Sequence, residues 1–151
     1  LDTLINNLDG MAYRCLLDAN WRMIFVSQGC LALTGYSADE LVHGETLGWE
    51  DITHPLDRAR VRGQIESAVA LGQRFAAEYR IRTESGQIKW VIERGIGVLD
   101  EQGELVLEGF IEDVSSQHAL LQARQQAEER YRQPLSTLLT PTLGAGNFTA
   151  E

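Results

Sequence analysis

The chain has 151 residues, 44% hydrophobic and 23% charged, with a formal net charge of −9 from 22 acidic and 13 basic side chains. That length holds one domain with some chain left over, able to bury roughly 70% of its unfolded surface, and the composition excludes disorder throughout. An acidic chain without a Lys/Arg cluster is a poor match for nucleic acid, and no stretch reaches the ~20 apolar residues of a membrane span.

Residues 2–8, DTLINNL, put Leu4, Ile5 and Leu8 on one side of a short helical turn, which Asp9-Gly10 breaks. Residues 1–10 are accordingly expected as an N-terminal cap helix. AYRCLL (12–17) and MIFVS (23–27) then read as two strands joined by an Asp18-Ala19-Asn20 turn, the pattern of an antiparallel hairpin.

Several short helices follow. CLALTGY carries Cys30, Leu31 and Leu33 and meets a natural C-cap at Gly35. Ser37 and Glu40 have the spacing of a capping box ahead of Leu41 and Val42, and Gly44 stops that helix. TLGWEDI (46–52) brings Leu47, Trp49 and Ile52 to one side. A longer helix opens at His54-Pro55, with proline suited to the first helical position and Asp57 in the first turn. Its expected buried stripe is Val61, Ile65, Ala68, Val69 and Leu71, and Gly72 ends it.

From residue 74 the hydrophobic period changes from 3.6 to 2. Phe75, Ala77, Tyr79 and Ile81 alternate with Ala76, Glu78, Arg80 and Arg82, a half-buried strand. Glu84-Ser85-Gly86 turns the chain into IKWVIERGIGVL (88–99), and Asp100 to Gly103 turns it again into LVLEGFIEDV (105–114). Hairpin, short helices, long helix and three-stranded meander together predict an α+β domain with one antiparallel sheet over residues 11–115.

Residues 116–133 return to a helix, with Leu120, Ala123, Ala127 and Arg130 forming a thin seam of barely two heptads. Pro134, Pro141, Gly144 and Gly146 mark residues 134–151 as a linker or the start of a further domain. The first residue is Leu1, so the chain is expected to be part of a longer protein. Cys15 and Cys30 lie in apolar stretches, where buried thiols are the common state; this favours a cytoplasmic setting, and a membrane-anchored parent stays open.

Three stretches carry a family resemblance: LTGYSADELVHG (33–44), WEDITHPLDRARV (49–61) and FAAEYRIRTESGQIKWVIERGIGVLDEQGELVLEGFIEDVSSQ (75–117). In order and spacing they resemble the PAS family, in the form continued by a PAC motif and common in bacterial histidine kinases and diguanylate cyclases. The resemblance implies a five-stranded antiparallel sheet in 2-1-5-4-3 order with short helices on one face. It further implies a homodimer formed through the terminal helices, and an effector domain in the same chain that receives the signal. The family's Asp-Ile-Thr reads Asp113-Val114-Ser115 here, and the Ser115 hydroxyl is expected to cap the following helix.

Asp113, with Ser115, is the expected signal relay, against the plainer reading of a helix cap. The space between sheet and helices is the candidate ligand site. Alternation points Tyr79, Ile81, Val91, Leu107 and Ile111 inward, with Leu33 and Trp49 opposite and Glu93 as a polar group of the same parity as Val91. The plainer reading is a filled core that serves dimerisation and relay without a ligand. The cofactor is not specified by these residues. Haem is disfavoured because the helix from Leu56 to Leu71 has no histidine, and His43, His54 and His118 are poorly placed as axial ligands. TLGWEDI offers no cysteine for covalent flavin chemistry, while non-covalent flavin is compatible with Trp49, Trp90 and Tyr79. No metal set and no nucleophile, phosphate-loop or zinc motif is present, so no catalysis is expected.

Overall fold

The computed structural model describes residues 9–144, with side-chain surroundings through residue 132. The expected cap helix falls almost wholly outside those residues. Strand β1 (Gly10–Leu16) starts the described fold and pairs with β2 (Met23–Val26). Helices α1 (Cys30–Thr34), α2 (Ala38–His43), α3 (Trp49–Ile52) and α4 (Arg58–Ala70) follow, then β3 (Phe75–Arg82), β4 (Ile88–Leu99), β5 (Leu105–Asp113) and α5 (Ser115–Gly144). The chain divides into a unit ending at Ser115 and a second unit from Ser116, which α5 occupies.

All five strands are antiparallel and lie in the order β2-β1-β5-β4-β3, as the resemblance implies. Alternation does what the sequence predicts: Phe75, Ala77, Tyr79 and Ile81 are buried on β3, and Met11, Tyr13 and Cys15 on β1. Pairing sets Tyr79 opposite Val91 and Glu93 opposite Ile111, so one face of the sheet presents a continuous row of buried side chains. Leu33, Leu41, Trp49, Ile52, Val61 and Ile65 from the helices complete the same core.

Local chemistry fixes the helix ends. Gly35 closes α1 in the left-handed region at φ 81°, where a side chain would be strained. Ser37 and Glu40 form the expected capping box on α2. Asp51 accepts the Gly48 N–H at 2.8 Å ahead of α3. Gly48 must lack a side chain for another reason: a Cβ there would stand 2.3 Å from the Asn20 carbonyl oxygen, so the β1–β2 turn could not seat against α3.

The structure departs from the sequence reading at four places. First, α4 starts at Arg58, three residues after Pro55. Asp57 therefore does not serve the dipole of a first turn; its carboxylate takes the Arg80 guanidinium at 2.8 and 3.0 Å and the Arg80 backbone N–H at 2.9 Å. Second, Leu71 is exposed, because it lies past the last turn of α4. Third, α5 continues to Gly144, past the stop expected at Pro134. Its two interior prolines, Pro134 and Pro141, each lack the N–H that the helix ladder uses at their position. Residues 145–151 lie outside the described ones.

The fourth departure is that the Ser115 hydroxyl does not cap α5. It accepts the Trp90 N–H at 3.0 Å instead. The β4–β5 ladder ends at Val91–Asp113, so the Trp90 amide needs a partner beyond it.

Asp57 also belongs to a seal along β3, the edge of the sheet. Thr53 bridges Ile81, the His54 N–H meets the Arg80 carbonyl, and Arg60 and Gln64 donate to the carbonyls of Glu78 and Ala76. The outward carbonyls of Ala76, Glu78 and Arg80 and the Arg80 N–H are thus met by α4 and the residues before it. The Arg80 guanidinium holds the Asp57 carboxyl below its usual range, against the opposing effect of burial. This contribution to stability is present above the ordinary Asp range and is lost as pH falls through the lowered value. Asp57→Ala is expected to cost about 2 kcal/mol at neutral pH, the scale of a charged hydrogen-bond acceptor lost from a buried position. The deficit should shrink in denaturation series taken toward pH 3; a deficit equal at all pH would contradict the ion-pair account.

Candidate functional site

Glu93 is the polar centre of the core. It sits on the inner face of β4 and is 4% exposed. Its two oxygens each take a tyrosine hydroxyl: Tyr79 from the neighbouring β3 donates to Oε1 at 2.6 Å, and Tyr13 from β1 donates to Oε2. Trp49 at the start of α3 donates its indole N–H to the Tyr79 hydroxyl at 2.8 Å. Three strands and a helix thus meet through one chain of hydrogen bonds, Trp49 to Tyr79 to Glu93 to Tyr13. Tyr13 must reach across β5 to do this, and its hydroxyl stops where a side chain at position 95 would be: a Cβ on Gly95 would lie 3.0 Å from it.

The electrostatics follow from burial. Burial raises the Glu93 pKa, and the two tyrosine hydrogen bonds only partly oppose it. Burial, and then the Glu93 carboxyl, push both tyrosine hydroxyls well above their usual range. Burial does the same to the neighbouring Cys15 thiol, with Glu93 as the next cause. That thiol is inert as a nucleophile in this setting.

Beside this chain lies a cavity of about 10 Å³, bordered by Cys15, Trp21, Trp49, Glu50, Thr53 and Glu93 among others. Of the eight residues expected to bind a ligand, Trp49 and Glu93 border it. Leu33, Tyr79, Ile81, Val91, Leu107 and Ile111 are buried core side chains. Tyr13, Cys15 and Trp21 were not among the sequence candidates. Tyr13 and Cys15 share the buried parity of β1, a signal that was available; nothing in the spacing shows that Tyr13 meets Glu93 from two strands away.

The expected relay residues form a second cluster. Asp113 Oδ1 accepts the Ser115 N–H at 2.9 Å, and its other oxygen faces Lys89 Nζ at 3.8 Å. Lys89 also donates to the Ala32 carbonyl on α1 at 2.9 Å. Trp90, next along β4, receives the Val114 N–H on its carbonyl at 2.8 Å in addition to its bond with Ser115. Its ring lies 5.5 Å from the Arg80 guanidinium. Asp113 is therefore both a local acceptor for the start of α5 and an ionic contact to a lysine that reaches the helical layer.

The pH dependence of Glu93 has a definite sign. Its folded pKa lies above the unfolded value, so its favourable contribution is full below the ordinary Glu range and is lost as pH rises through the raised value. Glu93→Gln, which keeps the shape and removes the charge, should gain stability over the parent as pH rises from about 5 to 9, with a slope of at most ~1.4 kcal/mol per pH unit. Denaturant midpoints across that range check it; a difference independent of pH would show that Glu93 titrates as it does in the unfolded chain.

The described residues contain no helix long and apolar enough to cross a membrane and no cluster of metal-ligating side chains. The model of the PAS fold family matches residues 23–111. The methyl sulfide methyltransferase-associated sensor of Methanosarcina acetivorans is 28% identical over 131 residues, 85% of this chain and 12% of that protein. The chain spans 12% to 14% of the length of the curated relatives it matches. Among solved structures, a sensory box histidine kinase/response regulator from Burkholderia thailandensis superposes with a TM-score of 0.65 at 26% identity, covering 83% of this chain and 92% of that one. The N-terminal domain of a diguanylate cyclase with PAS/PAC sensor from Marinobacter aquaeolei gives 0.57 at 23%, covering 72% and 98%. With its strand order, its helical layer and a family match across more than half its length, this chain belongs to the PAS family of sensor domains found in signalling proteins.

Proposed function

We propose that this domain is the sensory input module of a longer signalling protein, taking a small ligand beneath its helices and passing the change through the start of α5 to an effector. The observation that carries this reading is the double hold of β4 on the exit. Lys89 spans the Ala32 carbonyl of α1 and the Asp113 carboxylate, while Trp90 engages both Ser115 and Val114. A shift of α1 against the sheet would be felt at Asp113 through one lysine side chain. The buried Glu93 supports the ligand half of the reading, since it sets a polar group at the wall of the small cavity.

The relatives named above are a sensor, a sensory kinase and a cyclase with a sensor, which supports an effector elsewhere in the same protein. In this reading the domain performs no catalysis itself, works as a homodimer through its terminal helices, and resides in the cytoplasm. The size of the cavity bears on the cofactor: about 10 Å³ holds at most one water, against ~300 Å³ or more for a drug-sized ligand, so a flavin would require a large rearrangement. The same observation favours a second reading, a filled core that relays without a ligand.

Asp113→Ala in the full-length protein is expected to change output several-fold while the isolated domain loses only ~1 kcal/mol, about 4 °C in melting temperature. Ser115→Ala should act in the same direction by releasing Trp90. Output unaltered in both variants, with the fold intact, would refute the relay.

A further inference from the structure

A cation that the chain supplies itself lies against Trp21 and Glu50, two residues that border the small cavity. Arg62, on α4, lays its guanidinium 4.4 Å from the centre of the Trp21 ring. It donates to the carbonyls of Ala19 at 2.8 Å and Asp18 at 3.4 Å, and faces the Glu50 carboxylate at 3.7 Å and that of Glu66 at 3.6 Å. An aromatic face, two carbonyls and a carboxylate are the parts from which organic-cation sites are built. Trp21 and Glu50 also border the cavity, with Trp49 and the Glu93 carboxyl further along its wall, and among the described residues no basic side chain borders it.

A second, independent observation points to the same place. Trp21 is the only non-glycine among the described residues in the left-handed region, at φ 52°. A bulky side chain there stores strain of order 1–3 kcal/mol, and such strain gathers at ligand clamps and switch regions. The turn is held in that state from outside: Trp49 and Glu50 donate their backbone N–H groups to the Trp21 and Asn20 carbonyls, and Arg62 grips the two residues before them. Releasing Arg62 frees a strained turn whose Trp21 borders the cavity.

We propose that this is a binding site for a small organic cation, a guanidinium or ammonium head on a short apolar stem. The ligand head displaces Arg62 from Trp21, Glu50 and the turn carbonyls, and the stem enters between Trp21 and Trp49 toward Glu93. Arg62 is thus an internal competitor that keeps the site closed when the ligand is absent. The inference rests on the ligand-taking half of the proposed function and names the chemistry of that ligand.

The probe is n-butylguanidinium, with N-butylurea as an uncharged analogue of similar shape, each titrated into the whole chain and followed by tryptophan fluorescence and melting temperature. The guanidinium should bind saturably and N-butylurea should not. Arg62→Ala should tighten n-butylguanidinium binding about tenfold by removing the competitor, and Glu50→Gln should weaken it about tenfold. If Arg62→Ala proves unfolded by circular dichroism, Arg62→Lys, which lacks the planar fork, takes its place with a smaller gain in the same direction. Equal binding of both probes, or no saturation by n-butylguanidinium up to about 10 mM in parent and Arg62 variants alike, overturns the proposal. Its failure is distinguishable from failure of the relay, because the Asp113 variant reads output without any ligand.

Discussion

A carboxyl group at the centre of an apolar core has to be answered by donors, and the fold is arranged around that requirement. Glu93 brings Tyr79 from the strand beside it, Tyr13 from two strands away and, through Tyr79, Trp49 from the helical layer. A one-residue slip of any of these strands would turn its tyrosine or its carboxylate outward and leave buried polar atoms without partners. The hydrogen-bond chain therefore specifies register where apolar contacts alone would tolerate alternatives. Gly95 belongs to the same arrangement, since only a bare backbone lets the Tyr13 hydroxyl come so near β4.

Much of this was legible in the sequence because the relevant signals are local. Alternation in residues 75–82, the Ser37–Glu40 spacing and the turn residues at 84–86 and 100–103 each depend on neighbours a few positions away, and each is realised. The parity of Glu93 with Val91 was enough to place it inside. What escaped were pairings over long separations. Asp57 looks like a helix-start residue until Arg80 is seen opposite it, and Ser115 looks like a cap until its bond with the Trp90 amide appears. Arg62 carries no sequence mark at all; an arginine on an amphipathic helix is ordinarily solvated, and only the fold brings the Trp21 turn beneath it.

The two clusters share strand β4. Glu93 stands in its middle, while Lys89 and Trp90 stand at its beginning, three residues or more away along a single extended backbone. Events at the core and contacts at the exit are therefore linked through one stiff element bonded on both sides, by β3 and by β5. Arg80 adds a lateral tie, reaching from Asp57 ahead of α4 to the Trp90 ring. Asp113 and Trp90, next to the start of α5, thus have contacts that lead to both α1, by way of Lys89, and the residue ahead of α4, by way of Arg80.

The closed margin of β3 has its own consequence. Backbone groups along an open sheet margin invite another chain to add as a further strand, and crowding raises that risk. Here the invitation is withdrawn by His54, Asp57, Arg60 and Gln64. A second copy that approaches on that side meets backbone groups already engaged by its neighbour's own side chains, which disfavours the fusion of two sheets there.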